Sequence, residues 1–242
     1  MKFETQFTRD FIQLSLPAGA RRVLEIGCGS GELAASLLQD GVSLIAIDTD
    51  PDLIVAAQGL GVDARIAAWP NFEDGQFDAV LFTRSLHHMH PLDKAVQRAA
   101  DSLVIGGRLI VEDFAYETAE EKTLQWFADV IDRLDGAGLL VKRDDFLTAL
   151  RSRTEMVKMW RENHESDLHT AANVFAEIRR VFDETQCEEA PYYFRYLSQA
   201  IVPTADRDKI LQDLAEQEAG LIARGMILAL GRRFVAERRN KS

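Results

Sequence analysis

The sequence predicts an α/β fold: a doubly wound, seven-stranded, mostly parallel sheet with a helical cap insertion. Three observations carry that reading. Short apolar runs alternate with helical segments up to Phe114. Each run is apolar nearly throughout, as in strands covered on both faces. Beyond Phe114 the alternation gives way to helical periodicity, which marks an insertion.

The chain opens on an amphipathic helix in which Phe3, Phe7, Phe11 and Leu14 recur at helical spacing; Pro17 and Gly19 end it. RRVLEIG is a buried strand, GELAASLLQDG a helix closed by Gly41, and VSLIAID a second strand. PDLIVAAQGLG is the next helix, with Pro51 at a permitted early position. DARIAAW is a short third strand and FDAVLFT a fourth. PLDKAVQRAADSLVIGG is a helix ending at Gly106 and Gly107, and RLIVEDF is the fifth strand. Right-handed crossovers between such strands give a doubly wound sheet with its ligand crevice at the carboxyl ends.

Further on, AEEKTLQWFADVIDRL, RDDFLTALRS and LHTAANVFAEIRRVF read as helices, PYYFRYLSQA as a strand, DRDKILQDLAEQEAGLIARG as a long helix and MILALGRRFVAER as a last strand. No repeat or low-complexity linker separates them. The chain therefore divides into an N-terminal helix and ligand-binding core (1–114), a helical cap on the same domain (115–190), and final strands and a helix completing the sheet (191–242).

A chain of 242 residues that is 47% hydrophobic and 28% charged can build a substantial core. Its net charge of −11 repels phosphate backbones, so nucleic acid is not an expected partner. The basic run RRFVAERRNK reads as a solvated strand end. Cys28 and Cys187 stand in no CxxC or metal-spaced cluster, which points to a reducing cytoplasm. MKFETQFTRDFIQLSL lacks the apolar core of a signal peptide, and no membrane span is expected.

The stretch VLEIGCGSGELA joins the first strand to a helix through Gly27, Gly29 and Gly31. Such a turn lets a ligand lie against bare backbone, near free N–H groups at a helix N-terminus. Dinucleotides and S-adenosylmethionine both use it. The dinucleotide fingerprint is GxGxxG, whereas GxGxG stands here with Glu32 in the third glycine's place, and no P-loop lysine follows. Glu25 suits a cationic group such as the ammonium of a methionine moiety. Asp48, ending the second strand, can accept hydrogen bonds from two ribose hydroxyls of either ligand.

On these motifs the chain resembles the class I S-adenosylmethionine-dependent methyltransferases, of the small-molecule type, over roughly residues 20–114. VLEIGCGSG resembles the cofactor loop and IDTDP the ribose-binding strand end. FEDGQFDAVLFTRSLHHM resembles the fourth strand and its turn, and LVIGGRLIVEDF the glycine turn and fifth strand. The resemblance implies that Glu25, Gly27, Gly29 and Gly31 line the methionine end, that Asp48 holds ribose, and that Thr49 lies near adenine. Cys28 and Arg84 join the expected cofactor contacts. Relatives often carry an Asp before the fourth strand to bind the adenine amino group; here Ala68 and Trp69 stand there, and Trp69 is expected to stack on or shield the ring.

Methyl transfer from a sulfonium is an in-line displacement that rests on positioning and water exclusion; a general base is needed only where the acceptor loses a proton. The turn SLHHMH offers His87 and His88 as candidate bases, with the competing reading that they shape and pack the pocket. The spacing of His87, His88 and His90 does not converge on a metal, so none is expected. In the cap, Trp160, His164, His169, Tyr192, Tyr193 and Arg195 could line a pocket for a small substrate bearing a carboxylate or phosphate. His164, His169, Tyr193 and Arg195 are the named substrate contacts. Two other readings stay open: a protein that binds S-adenosylmethionine or S-adenosylhomocysteine without chemistry, and an NAD-dependent oxidoreductase. An amino-group methylase on protein or RNA is disfavoured because TRSL replaces an Asn-Pro-Pro-Tyr-type motif.

Overall fold

A computed structural model of the protein describes residues 1–141, 144–164, 167–204 and 206–239. Helix α1 (Phe3–Ser15) leads into β1 (Arg22–Ile26), α2 (Glu32–Leu38), β2 (Ser43–Asp48), α3 (Pro51–Gly59), β3 (Asp63–Ile66), β4 (Phe77–Thr83), α4 (Leu92–Ser102) and β5 (Leu103–Phe114). Then follow α5 (Glu121–Gly136), α6 (Asp145–Arg151), α7 (Met156–Glu162), α8 (Ala171–Val181), β6 (Phe182–Ala190), α9 (Tyr193–Leu197), α10 (Arg207–Ala223) and β7 (Gly231–Arg238). The described residues form a seven-stranded sheet in the order β3-β2-β1-β4-β5-β7-β6. β1 to β5 run parallel, and β7 runs antiparallel to β5 and β6. Because β1 pairs with β2 on one side and β4 on the other, the strand order reverses at β1 and opens a crevice above its carboxyl end.

Alternate residues of each strand face opposite layers. Leu24 and Ile26 of β1, with Val80 and Phe82 of β4, pack under α4 and α8. Val23, Ala79 and Leu81 pack under α1, α2 and α3. A third apolar cluster joins α5, α6, α7, α9 and α10 around Trp160, Tyr193 and Phe127.

Four expectations require correction. Leu14 is 87% exposed, and Ile12 is the buried partner of Phe11. Gly106 and Gly107 lie within β5, whose register with β4 shifts between Phe77 and Ala79; a Cβ on Gly107 would come within 2.9 Å of the Val104 carbonyl. The segment FDETQCEEA, expected in the helical cap, is the edge strand β6, and α8 before it packs beside α4. PYYFRYL, read as a strand, forms α9, and Glu218 of α10 accepts hydrogen bonds from the amides of Tyr192 (2.6 Å), Tyr193 (3.1 Å) and Phe194 (3.4 Å) at its start. Asn240 and Lys241 of the basic C-terminal run lie outside the described residues.

At the carboxyl ends of β1, β4 and β5, the face under α1 turns polar. Glu25, Thr83 and Glu112 stand there, and Arg233 of β7 is the register partner of Glu112. Glu112 is 3% exposed and is bonded by Arg195 (2.7 Å), Arg233 (3.0 Å), Arg84 (3.2 Å) and the Thr8 hydroxyl (2.6 Å). Burial alone would raise its pKa; the Arg195, Arg233 and Arg84 charges outweigh that and hold it at about 2.

A carboxyl whose folded pKa lies below its ordinary 4.5 contributes stability that is full above 4.5 and is lost as pH falls towards 2. Glu112→Gln is therefore expected to lose on the order of 3 kcal/mol at neutral pH, with a smaller acid-induced loss than wild type. Denaturant unfolding between pH 7 and pH 3 measures both.

Candidate functional site

β1 ends in a loop where Gly27, Gly29 and Gly31 have φ of 74°, 54° and 75°, values that favour glycine. The amides of Gly27 (2.8 Å) and Cys28 (3.1 Å) donate to the Ile47 carbonyl and tie the loop to the end of β2. The glycines serve different ends. A Cβ on Gly27 would come within 2.6 Å of Ser85 Cβ, and one on Gly31 within 2.5 Å of Ala57 Cβ. A Cβ on Gly29 would meet nothing within 4 Å. Gly27 and Gly31 let protein elements close on one another, whereas Gly29 borders open space.

That space comprises two cavities of about 590 Å³ and 500 Å³, both lined by Gly27, Gly29 and Arg84. The smaller one has adenosine-type partners: Asp48, Thr49, Ala67, Ala68, Trp69 and Met89. Asp48 accepts from the amides of Gly29 (2.9 Å) and Asp50 (3.1 Å), one on each oxygen, so each keeps a lone pair for a ribose hydroxyl. The Trp69 indole N–H is spent on the Ala95 carbonyl (3.0 Å), and its ring packs edge-on against Phe82 in the core. Trp69 offers an apolar surface and no donor.

The larger cavity holds Glu25, Cys28 and Thr83 beneath α1, facing Phe114, His164, Tyr192, Arg195 and Tyr196. One Glu25 oxygen accepts from the Thr83 hydroxyl (3.3 Å); the other is buried with no partner. Burial pushes the Glu25 carboxyl up to about 7, against the opposing pull of the Thr83 hydrogen bond and the Arg84 charge. A buried, partnerless carboxylate oxygen in a cavity wall fits a cationic ammonium. Arg84, at φ 60°, donates its amide to the Glu112 carbonyl (2.7 Å), and its guanidinium borders both cavities. Burial and the Glu25 charge push the Cys28 thiol up to about 12, so it is no nucleophile.

The expected catalytic and substrate residues separate. His164 and Arg195 line the larger cavity. His88 lines the smaller, adenosine-type one. His87 lines neither: it is buried, with Nδ1 2.6 Å from Asp113, and its carbonyl accepts the His169 amide at 3.0 Å. His169 likewise lines neither, because its ring bonds the Met89 carbonyl (3.1 Å) and packs at a tilt against His90. Tyr193 sits in the cap core against Trp126, Phe127 and Trp160. Helical spacing in α9 explains this, since Tyr192 and Tyr196 share one face while Tyr193 and Leu197 share another. Tyr192, expected in the lining, is found there, whereas Tyr196, Phe114 and the α1 residues Thr5 and Thr8 are cavity residues that sequence reasoning does not name. Among the described residues, no group of three His, Cys, Asp or Glu stands close enough to hold a metal ion, and no helix is long and apolar enough to cross a membrane.

The open glycine turn at the switch point, the Asp48 carboxylate at the end of β2 and the buried, half-partnered Glu25 carboxylate fit the groups of an S-adenosyl amino acid. Comparison with known proteins agrees. Residues 24–111 match the model of a methyltransferase domain family. The chain is 35% identical over 111 residues to the ubiquinone biosynthesis O-methyltransferase of Xylella fastidiosa (strain 9a5c), covering 42% of this chain and 45% of that protein. The chain thus spans a little under half the length of that relative. It is 26% identical over 223 residues to an uncharacterized methyltransferase of Mycobacterium bovis, covering 88% of this chain and 81% of that one. The fold is shared with the N-methyltransferase NodS of Bradyrhizobium japonicum WM9 bound to S-adenosyl-l-homocysteine (TM-score 0.56, 16% identity, 98% and 88% of the chains). It is also shared with the [4+2]-cyclase SpnF (TM-score 0.57, 18% identity, 96% and 80%). Over residues 24–111 the chain is thus similar to methyltransferase domains, and it shares its fold with a methyltransferase bound to S-adenosyl-l-homocysteine.

Two predictions follow from the loop. Gly29→Ala incurs left-handed strain of about 1–2 kcal/mol but no clash, whereas Gly31→Ala adds the Ala57 collision. Thermal unfolding should show Gly31→Ala the less stable, while calorimetry should show Gly29→Ala binding S-adenosylhomocysteine at least ~10-fold more weakly than wild type. Glu25, whose folded pKa of about 7 lies above its ordinary 4.5, must lose its proton to face an ammonium. Cofactor affinity should therefore fall roughly tenfold per pH unit below 7, with proton release visible by calorimetry in buffers of different ionisation enthalpy. Glu25→Gln should abolish both effects.

Proposed function

We propose that this chain is an enzyme that moves a methyl group from S-adenosylmethionine to a small-molecule acceptor. The observation that carries the reading is the pair of cavities that meet over Gly27, Gly29 and Arg84. One is furnished for an adenosine, and the other is roofed by α1 and α9 beside the orphaned Glu25 oxygen. When bound, the cofactor supplies an electrophilic methyl group on sulfur with a neutral thioether leaving group. The chain's residues do the rest. Glu25 pairs with the ammonium, Arg84 with the carboxylate, and Asp48 with the ribose; Thr49, Ala68, Trp69 and His88 enclose the base. Phe114 and Tyr192, stacked at 4.9 Å, wall the acceptor side, and Thr5 and Thr8 of α1 line it as well.

Arg195 is too heavily engaged, with Glu112 and Thr8, to be a free anion hook, although its Nε is buried without a partner. Its support for a carboxylate- or phosphate-bearing acceptor rests on that one donor. Both cysteines are free, which supports a cytoplasmic setting.

Calorimetric titration with S-adenosylmethionine, S-adenosylhomocysteine and NADH tests the reading, followed by mass spectrometry of small hydroxylated and amino compounds incubated with protein and methyl donor. Binding of the two S-adenosyl compounds and a methyl mass gain are expected. Binding without transfer to any acceptor would favour a non-catalytic binding protein, and preferential binding of NADH would overturn the assignment.

A further inference from the structure

The larger cavity contains a hydrogen-bonded pair that the cofactor reading leaves unused. His164 follows α7, and its Nδ1 lies 2.6 Å from the Trp160 carbonyl. A carbonyl oxygen only accepts, so Nδ1 carries the proton and the lone pair of the neutral ring resides on Nε2. Nε2 lies 2.9 Å from the Tyr196 hydroxyl, which must therefore donate to it. The ring is held in place by stacking on Tyr116 (5.1 Å, 15°) and by contacts with Trp160 (5.0 Å) and Phe114 (5.6 Å). Tyr116 is itself pinned by a bond to the Leu168 carbonyl (3.2 Å). Both Tyr196 and His164 line the cavity that contains Glu25, Gly27 and Gly29.

With its proton committed to His164, the Tyr196 oxygen presents only lone pairs to the cavity. It is built to receive a hydrogen-bond donor, and behind it stands a base. We infer that Tyr196 and His164 form a proton relay that takes the proton of a phenolic hydroxyl as that oxygen is methylated. This rests on the methyltransferase reading above. The acceptor O–H bond breaks as a new O–H bond forms on Tyr196, and the original Tyr196 proton passes to His164 Nε2. The acceptor's freed electron pair forms the C–O bond while the C–S bond of the methyl donor breaks, its pair staying on sulfur. Tyr196 is the catalytic residue, and His164 is the terminal proton acceptor behind it.

Two features favour a phenol. The walls are aromatic: Phe114, Tyr192 and Tyr196. A phenol near pKa 10 can yield its proton to an imidazole more readily than an aliphatic alcohol can. Burial holds the Tyr196 phenol well above its ordinary value, so a free tyrosinate is not populated and the two transfers move together. Burial and the neighbouring His87 lower the His164 pKa, while the Trp160 carbonyl pulls the other way; the resting ring is thereby neutral and able to accept.

The probe is 4-nitrophenol, whose ionised form is visible by absorbance, added to protein loaded with S-adenosylhomocysteine. At a pH one unit below the probe's own pKa, binding to wild type should increase the ionised fraction severalfold. Tyr196→Phe keeps the ring packing against Phe127, Phe146 and Trp160 and should lose the increase, as should His164→Gln, with S-adenosylhomocysteine affinity unchanged in both. Nitrogen chemical shifts of His164 in the free protein should report a protonated Nδ1. A protonated Nε2 instead, no binding of 4-nitrophenol, or binding without added ionisation in wild type would each overturn the inference. The methyltransferase reading falls separately, only if S-adenosylhomocysteine itself fails to bind.

Discussion

The molecule depends on one buried carboxylate. Glu112, at the carboxyl end of β5, receives Arg84 from the turn after β4, Arg195 from α9, Arg233 from β7 and Thr8 from α1. Four elements distant in sequence are fixed to a single point, and three of the residues that fix them, Thr8, Arg84 and Arg195, line the larger cavity. Three guanidiniums around one carboxylate leave excess positive charge, so the cluster is stable only with the carboxylate ionised. The same excess draws anionic groups towards Arg84, the member that reaches both cavities.

Glu25 stands on the same face of the sheet and meets the opposite fate. It lies two strands away, with Thr83 as its one hydrogen-bond donor and a second oxygen left bare. Burial thus dominates for Glu25, whereas burial is overcome for Glu112. Two carboxylates on one polar row divide the work: one is satisfied internally and holds the architecture, and the other is left unsatisfied for a cationic ligand. Within the glycine loop, Gly27 and Gly31 let the protein close on itself, and Gly29 borders both cavities.

What was legible in the sequence was what is encoded locally. The β1 loop, Asp48 and the alternation of strands and helices are each specified within a few consecutive residues, so their places could be read directly. The edge strand β6 could not, because FDETQCEEA faces solvent and shows no apolar alternation; its pairing with β7 defines it. α9 was misread because its aromatic density suits a strand, while its helical turn is capped by Glu218, distant in sequence. That one error exchanged Tyr193 for Tyr196 in the cavity. The histidines show the same limit from the other side. The sequence suggests His87 and His88 as bases from their place in one turn and His169 as a substrate contact from its residue type, yet hydrogen bonds to Asp113 and the Met89 carbonyl bind His87 and His169 into the scaffold.

The placement of a proton acceptor on the cap has a consequence for charge. A sulfonium is positive, and a neutral hydroxyl methylated without losing its proton would become a cationic oxonium beside the excess charge of the arginine cluster. If the proton passes to His164 instead, the positive charge leaves the acceptor oxygen and rests on an imidazolium whose Nδ1 proton is bonded to the Trp160 carbonyl. The new charge lies on a ring stacked on Tyr116, whose face favours a cation, and tilted against Trp160. His87, bonded to Asp113 behind Phe114, lines neither cavity and is not placed to take that proton. On the proposed relay, acid–base chemistry falls to the cap, the part that also shapes the acceptor pocket, and the turn after β4 is left to position the cap through the bond between the His87 carbonyl and the His169 amide.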